Sequence, residues 1–479
     1  MSGFDSPPTS RRWLGLAVIA AAQFIVIMDT SIIGVALPQM GDDLGFSQEN
    51  LSWVFNAYVV AFGGLLLLGG KLSDLFGARR IFTAGWIVLI AGSAAAGMAS
   101  TVGVELAGRA VQGAGAALIA PSALTLLMML FGGNPRELTK AFALYGAAAP
   151  AGGTAGVFFG GLITEYADWP WVFYINIPIA LVILAVTPAL MPAGSPAARS
   201  RTDLLGAVTV TGGLAALVYG IVEAPEVGWG ALQTWLVLAG AAALLVAFVV
   251  SQAVRREPLV RLDIFRTPNL GAANLAQLLL GGAWIPMWFF LNLYLQQVLG
   301  YTAFPSGAAL VPMTGLVMIV MIVVAPRALG RFGIKAVTVT GFLLLAAGMG
   351  WLSLIRPDGS FVTDVLPASL VVALGMSLAF IPTLGTAISS ARPEEGGLAS
   401  GIVNTSYQVG SAVGLAVMTA IAAAYGAGRI GEPVALTDGF SAAFLGAAIV
   451  AVIGAAAAAA FLRNPEKETA AGEPASMSG

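Results

Sequence analysis

Fourteen runs of about 20 predominantly apolar residues follow one another along this chain, each long enough to cross the hydrocarbon core of a bilayer. They cover 13–37, 52–70, 81–100, 103–130, 138–162, 172–191, 204–223, 232–252, 269–296, 304–325, 336–354, 365–388, 400–424 and 440–462. Lipid offers no partner to a backbone N–H or C=O, so each run must satisfy its own groups. A helix does so within one segment, whereas barrel strands are near ten residues and alternate in polarity. The expected fold class is therefore an all-α membrane protein. Composition agrees: the chain is 58% hydrophobic and 10% charged, with mean hydropathy +0.89. A soluble fold cannot bury that much apolar surface at that charge content.

The positions of the charges orient the runs. With the N-terminus inside, 19 of the 22 Lys and Arg residues fall in inner segments, and only Arg356 and Arg429 in outer loops. Arg109 lies within a run. Cytoplasmic loops carry the excess of Lys and Arg, and one missed helix would invert every later loop. Both termini are thus expected in the cytoplasm. Arg11-Arg12 followed by an apolar run resembles a signal peptide, but the run carries Asp29 and lacks a small-x-small cleavage site, so it reads as a retained first helix. A net charge of −2 says nothing in itself about nucleic-acid or acidic partners, and no nucleic-acid partner is expected. Without Cys, thiolate metal sites and disulfides are excluded, and without His any proton must ride on a carboxylate. No Gly-x-x-x-x-Gly-Lys loop exists to hold ATP, and no metal or cofactor is expected. Arginine outnumbers lysine 18 to 4, which hints at a GC-rich bacterial genome.

Three short matches recur at nearly one offset. Leu44-Gly45-Phe46-Ser47 returns as Leu299-Gly300-Tyr301-Thr302, Phe76-Gly77-Ala78-Arg79 as Phe332-Gly333-Ile334-Lys335, and Pro135-Arg136-Glu137 as Pro393-Glu394-Glu395. They divide the chain into a six-helix bundle at 13–192, an inserted helix pair with cytoplasmic linkers at 193–268, and a second six-helix bundle at 269–462. Residues 1–12 and 463–479 are read as cytoplasmic tails, the latter disordered, and the basic stretch 255–266 as a linker lying on the headgroups.

The turn between the second and third runs is Gly70-Lys71-Leu72-Ser73-Asp74-Leu75-Phe76-Gly77-Ala78-Arg79-Arg80. It resembles the signature loop of the major facilitator superfamily, in which Gly, Asp, Gly and a basic pair recur at this spacing. Gly70 suits a close helix approach, Gly77 a tight turn, Asp74 a bond to helix-terminal N–H groups or to arginine, and Arg79 and Arg80 a cytoplasmic location. Met28-Asp29-Thr30-Ser31-Ile32-Ile33-Gly34-Val35-Ala36-Leu37-Pro38 is similar to that family's first-helix motif, and Arg109-Ala110-Val111-Gln112-Gly113-Ala114-Gly115 to its fourth-helix motif. Six, two and six helices resemble the fourteen-helix drug:proton antiporter branch over nearly the whole chain. The fifth-helix antiporter motif departs: Gly156-Val157-Phe158-Phe159-Gly160-Gly161 has Val157 where the family has proline. The resemblance implies two bundles that rock between inward- and outward-open states, with the signature loop and Gly156, Gly160 and Gly161 in that movement.

Asp29, Glu105 and Arg109 are the ionisable residues well inside runs, where a charge costs at least a few kcal/mol and so marks function by default. Counting from the helix ends places Asp29 and Arg109 at one depth, roughly 9–12 Å below the outer surface at about 1.5 Å per residue. Glu105, Arg109 and Gln112 share one helix face. The expectation is a polar cluster of Asp29, Glu105, Arg109 and Gln112, with Asp29 as proton carrier; the bland alternative is a permanent pair that pins two helices. Asn274, Gln277, Gly281, Trp284, Trp288 and Asn292 fall on another single face, and Asn404, Tyr407, Gln408 and Ser411 on a third. Amides facing lipid are costly and indole faces suit flat or cationic compounds, so these stripes are expected to bind substrate; interhelical glue is the alternative. The reading is a proton-coupled exporter of small amphipathic or aromatic compounds, working as a monomer in a bacterial cytoplasmic membrane. A facilitator for one dedicated metabolite and a non-transporting receptor or scaffold are the other readings.

Overall fold

In the computed structural model, residues 9–47, 50–193, 203–255, 258–267, 269–390 and 396–464 are described. Arg199, Arg201, Arg256, Arg392 and Lys467, and the third repeated tripeptide at 393–395, lie outside the described residues. The α-helices are α1 Thr9–Leu44, α2 Ser52–Phe76, α3 Ala78–Gly97, α4 Val102–Phe131, α5 Pro135–Ala167, α6 Trp171–Tyr174, α7 Asn176–Leu190, α8 Leu204–Val222, α9 Ala224–Val227, α10 Leu232–Val254, α11 Leu270–Leu293, α12 Ala303–Ile319, α13 Ala325–Leu352, α14 Leu366–Ser390, α15 Gly396–Ala424 and α16 Pro433–Phe461.

Among the described residues, thirteen helical stretches are long and apolar enough to cross a membrane, one of them 50 residues long, Ala303–Leu352. That stretch holds two crossings. Its helix continues through the segment expected to be a loop, and the chain turns at Gly333, whose φ of 79° and ψ of 168° break the helical path. Single turns of wider π-helix at Tyr294–Val298, Val320–Val324 and Phe361–Val365 flank α11, α12 and α14, a local irregularity that apolar periodicity does not reveal. The sixth crossing is divided at Ile175 into α6 and α7.

The glycines of the repeated tetrapeptides share a backbone conformation. Gly45 and Gly300 have φ of 73° and 70°, and Gly77 and Gly333 have φ of 91° and 79°. Only glycine adopts this region without steric cost. Two ends of the helix array are thereby marked, a Gly45 end and a Gly77 end.

α1 packs on α5, and α4 on α2 and α3; α13 packs on α14 and α16, and α11 on α15. The two groups meet along α5 with α12 and α2 with α15, while α8 lays the inserted hairpin against α2 and α15. Where α5 crosses α1, a Cβ on Gly156 would stand 2.8 Å from the Met28 carbonyl oxygen, and one on Gly160 2.7 Å from that of Ile32. Helices in lipid gain from such close approach because packing, not water, drives them together.

Candidate functional site

Four helices converge on Asp29. From α4, Arg109 reaches it with Nη1 to Oδ2 at 2.8 Å. The same Nη1 donates to Gln112 Oε1 at 2.8 Å, and Arg109 Nε donates to the Val54 carbonyl of α2 at 3.0 Å. Gln112 Nε2 donates to Asp29 Oδ1 at 3.1 Å and to Ser93 Oγ of α3 at 2.8 Å. Asn176, at the first position of α7, donates to Asp29 Oδ1 at 2.6 Å. The Arg109 guanidinium also lies 4.6 Å from the Tyr58 ring centre, a cation–π distance. Asp29, Arg109 and Gln112 are all 0% exposed.

The three sequence-derived members Asp29, Arg109 and Gln112 therefore touch. Glu105 is equally buried, one turn from Arg109 toward the Gly45 end, but neither carboxylate oxygen has a hydrogen-bond partner among the described residues. Sequence reasoning missed Asn176, Ser93 and Tyr58. An amide at a helix start and a serine in a span are common features, and only the crossing of α3, α4 and α7 gives them this role.

The α11 stripe divides into two parts. Asn274 accepts from Ser406 Oγ at 2.9 Å and donates to the Leu270 carbonyl, and Gln277 Nε2 donates to Thr383 Oγ1 at 2.8 Å and to the Phe380 carbonyl. These two amides tie α11 to α15 and α14. Trp284 is half-buried and stacks on Trp288, with ring centres 6.1 Å apart. On α15, Tyr407 and Gln408 are half-buried, as is Asn404, and Tyr407 meets Phe380 edge to face at 5.7 Å.

Toward the Gly45 end the two bundles are in contact. Trp288 Nε1 and Asn292 Nδ2 lie 3.3 Å and 2.9 Å from where a Cβ on Gly34 would stand, and Gln296 Nε2 donates to the Val35 carbonyl at 2.9 Å. Phe55 and Phe289 meet edge to face at 5.9 Å. Gly161 packs against Ala303 and Phe304, and Gly307 against the Val157 carbonyl. At Gly146 of α5 and Gly315 of α12 a Cβ would meet nothing within 4 Å. The bundles thus meet near Gly45, and α2 meets α15 toward the Gly77 end as well, where a Cβ on Gly401 would stand 3.1 Å from Leu67.

The signature turn is placed differently from its expected bonding. Asp74 is exposed and hydrogen-bonds to none of the described residues, and Arg80 is exposed. Arg79 Nη1 donates to the Met191 carbonyl at 3.3 Å and the Pro188 carbonyl at 3.5 Å, closing the end of α7. Gly70 makes only ordinary contact, its Cβ position 3.7 Å from Pro121.

The family model of the Major Facilitator Superfamily matches residues 19–415. The cephamycin export protein of Amycolatopsis lactamdurans is 38% identical over 92% of this chain and 90% of its own length. The puromycin resistance protein of Streptomyces alboniger is 38% identical over 90% and 87%. The tetracenomycin C resistance and export protein of Streptomyces glaucescens is 33% identical over 90% and 80%. Among solved structures, a nucleoside transporter superposes with a TM-score of 0.66 at 14% identity, covering 94% of this chain and all of that one. That likeness concerns the fold alone.

Proposed function

We propose that this chain, which belongs to the Major Facilitator Superfamily, exports small amphipathic or aromatic compounds in exchange for protons. As a family member it is a multi-pass transporter of a bacterial cell membrane and not an enzyme. The observation that carries the proton-coupled reading is the fully buried Asp29–Arg109 pair at 2.8 Å inside the spans. Such a pair is expensive to desolvate and adds little net stability, so its presence asks for a role beyond holding helices.

In this reading the Gly77 end faces the cytoplasm, as the positive charges require, and the Gly45 end faces outward. Substrate enters from the cytoplasm onto the Trp284, Tyr407, Gln408 and Asn404 surface. Trp288 and Asn292 form the barrier that must part for release, while Asn274 and Gln277 hold α11 in place. The Gly156, Gly160 and Gly161 face lets α5 slide on α1 and α12, and the signature turn from Gly70 to Arg80 paces the closing of the cytoplasmic end. Protonation of Asp29 loosens its bonds to Arg109, Gln112 and Asn176, and so ties the occupancy of one site to the packing of four helices. The transporter works as a monomer on small molecules and protons, without ATP or nucleic acid.

Asp29→Asn preserves size and hydrogen bonding but removes the titrating proton. In proteoliposomes with an imposed pH gradient, the variant is expected to lose uphill transport of a fluorescent aromatic substrate while keeping exchange. Wild-type flux that ignores the gradient, or a variant that still pumps uphill, would overturn the coupling. A narrower reading is export of one dedicated compound. It is favoured by three relatives named for a single antibiotic: cephamycin, puromycin and tetracenomycin C. A panel of structurally unrelated substrates separates the two.

A further inference from the structure

Glu105 is 0% exposed, and both of its oxygens are buried without a hydrogen-bond partner among the described residues. One helical turn away, Arg109 Nη2 is also buried without a partner, while Nη1 and Nε are fully engaged. A free donor and a free acceptor pair thus stand i, i+4 on one face of α4, the spacing at which side chains meet. We propose that Glu105 and Asp29 share a single proton, with Arg109 passing between the two carboxylates. This rests on the proton-coupled reading of the same cluster and adds to it a second proton-holding group on the Gly45 side.

The charge count supports the exchange. The groups facing this cluster are Asp29 from α1, Tyr58 from α2, Glu105 and Arg109 from α4, with neutral Ser93 from α3, Phe173 from α6 and Asn176 from α7. Asp43 lies further toward the Gly45 end and accepts from Trp169 Nε1. One guanidinium balances one carboxylate. Two ionised acids would leave an unbalanced buried anion, and two protonated acids an unbalanced buried cation, both costly in a low-dielectric interior. One proton on two acids is the balanced state. In the structure Asp29 accepts from Arg109, Gln112 and Asn176, so the proton resides on Glu105. In the exchange the Glu105 O–H bond breaks and an O–H bond forms on Asp29. Arg109 releases Asp29 and donates through Nη2 to the new Glu105 carboxylate. Net charge is unchanged throughout. Glu105 stands between Asp29 and the Gly45 end, so it is the station through which a proton from that side reaches Asp29.

Infrared spectra of the full-length protein in lipid vesicles at neutral pH test this directly, because a protonated carboxyl has a C=O stretch separate from that of a carboxylate. The wild-type minus Glu105→Gln difference is expected to show one protonated-carboxyl band. Asp29→Asn is expected to lose the same band, because Arg109 then has Glu105 as its only carboxylate partner and ionises it. These two variants are independent, so misfolding of one, read by circular dichroism, leaves the other to decide. Absence of the band from the wild-type minus Glu105→Gln difference would overturn the proposal, as would its survival in Asp29→Asn. Both band losses in a protein whose transport ignores pH would uphold the shared proton and reject the coupling to export.

Discussion

Arg109 draws on three helices at once: it donates to a carboxylate of α1, a side-chain amide of its own helix and a backbone carbonyl of α2. A lysine offers one compact charge and could not hold this planar fork. Asp29, Arg109 and Gln112 were legible in the sequence because ionisable residues inside apolar runs are few and helix spacing fixes their depth. Asn176 and Ser93 were not, since nothing in their local sequence sets them apart from amides and hydroxyls that merely bond their own helix. The α11 stripe was legible as an inward face but not as two functions. Gln277 is tied to Thr383 and Phe380, whereas Trp284 keeps part of its surface free. Trp284→Ala is therefore expected to weaken binding of an aromatic substrate by about 0.5–2 kcal/mol, the range of an aromatic or cation–π contact. Gln277→Leu should leave affinity nearly unchanged and lower thermal stability instead. Tryptophan-quenching titrations alongside melting curves in detergent check both, and equal affinity in wild type and Trp284→Ala would make the stripe packing alone.

Among the elements, α5 carries the most demanding contacts. Its glycines at 152, 156 and 160 fall every fourth position and bring the backbone of α1 against it at Phe24, Met28 and Ile32. Asp29 follows Met28 directly, so this contact also sets where the carboxylate stands relative to Arg109. On another face, Val157 presents its carbonyl to Gly307 of α12, and Gly161 meets Ala303 and Phe304. The sequence showed the glycine pairs but not which neighbour each one admits, because that depends on the crossing of helices distant in the chain. Adding a methyl at Gly156 would place it 2.8 Å from both the Met28 carbonyl oxygen and Ser31 Cβ, and α1 must shift. Overpacking of that kind costs typically about 1–3 kcal/mol. Gly156→Ala is expected to lower the melting temperature and uphill transport together. Gly146→Ala, in the same helix with open space around it, should do neither. Similar melting of the two variants would show that the α1–α5 contact tolerates a gap.

At the scale of the whole molecule, one orientation must serve all crossings, and it follows from where the charges lie. The Gly77 end gathers Lys71, Arg79, Arg80, Arg327, Arg331 and Lys335, whereas the loops of the Gly45 end hold Arg356 and Arg429. Moving such charges across a bilayer is opposed during insertion, so the basic end stays in the cytoplasm. The inserted hairpin of α8 and α10 adds an even number of crossings and leaves that orientation unchanged for α11–α16. The unforeseen continuity of Ala303–Leu352 does not alter the count either, since Gly333 turns the chain at the level of the Gly77 turn. Because the chain contains no native cysteine, single introduced thiols report their side without background. Gly133, between α4 and α5, and Gly230, between α9 and α10, both have open space around their Cβ positions. A membrane-impermeant maleimide applied to intact cells is expected to label Gly230→Cys and to reach Gly133→Cys only after the membrane is opened. Three crossings separate these two positions, by way of α5, α6–α7 and α8, so an odd count demands opposite sides. Labelling of both from outside would remove a crossing between the two positions, from α5, α6–α7 or α8. Labelling of Gly133→Cys alone would invert the molecule, and with it the direction in which the Gly45 end and the half-buried aromatic surface face.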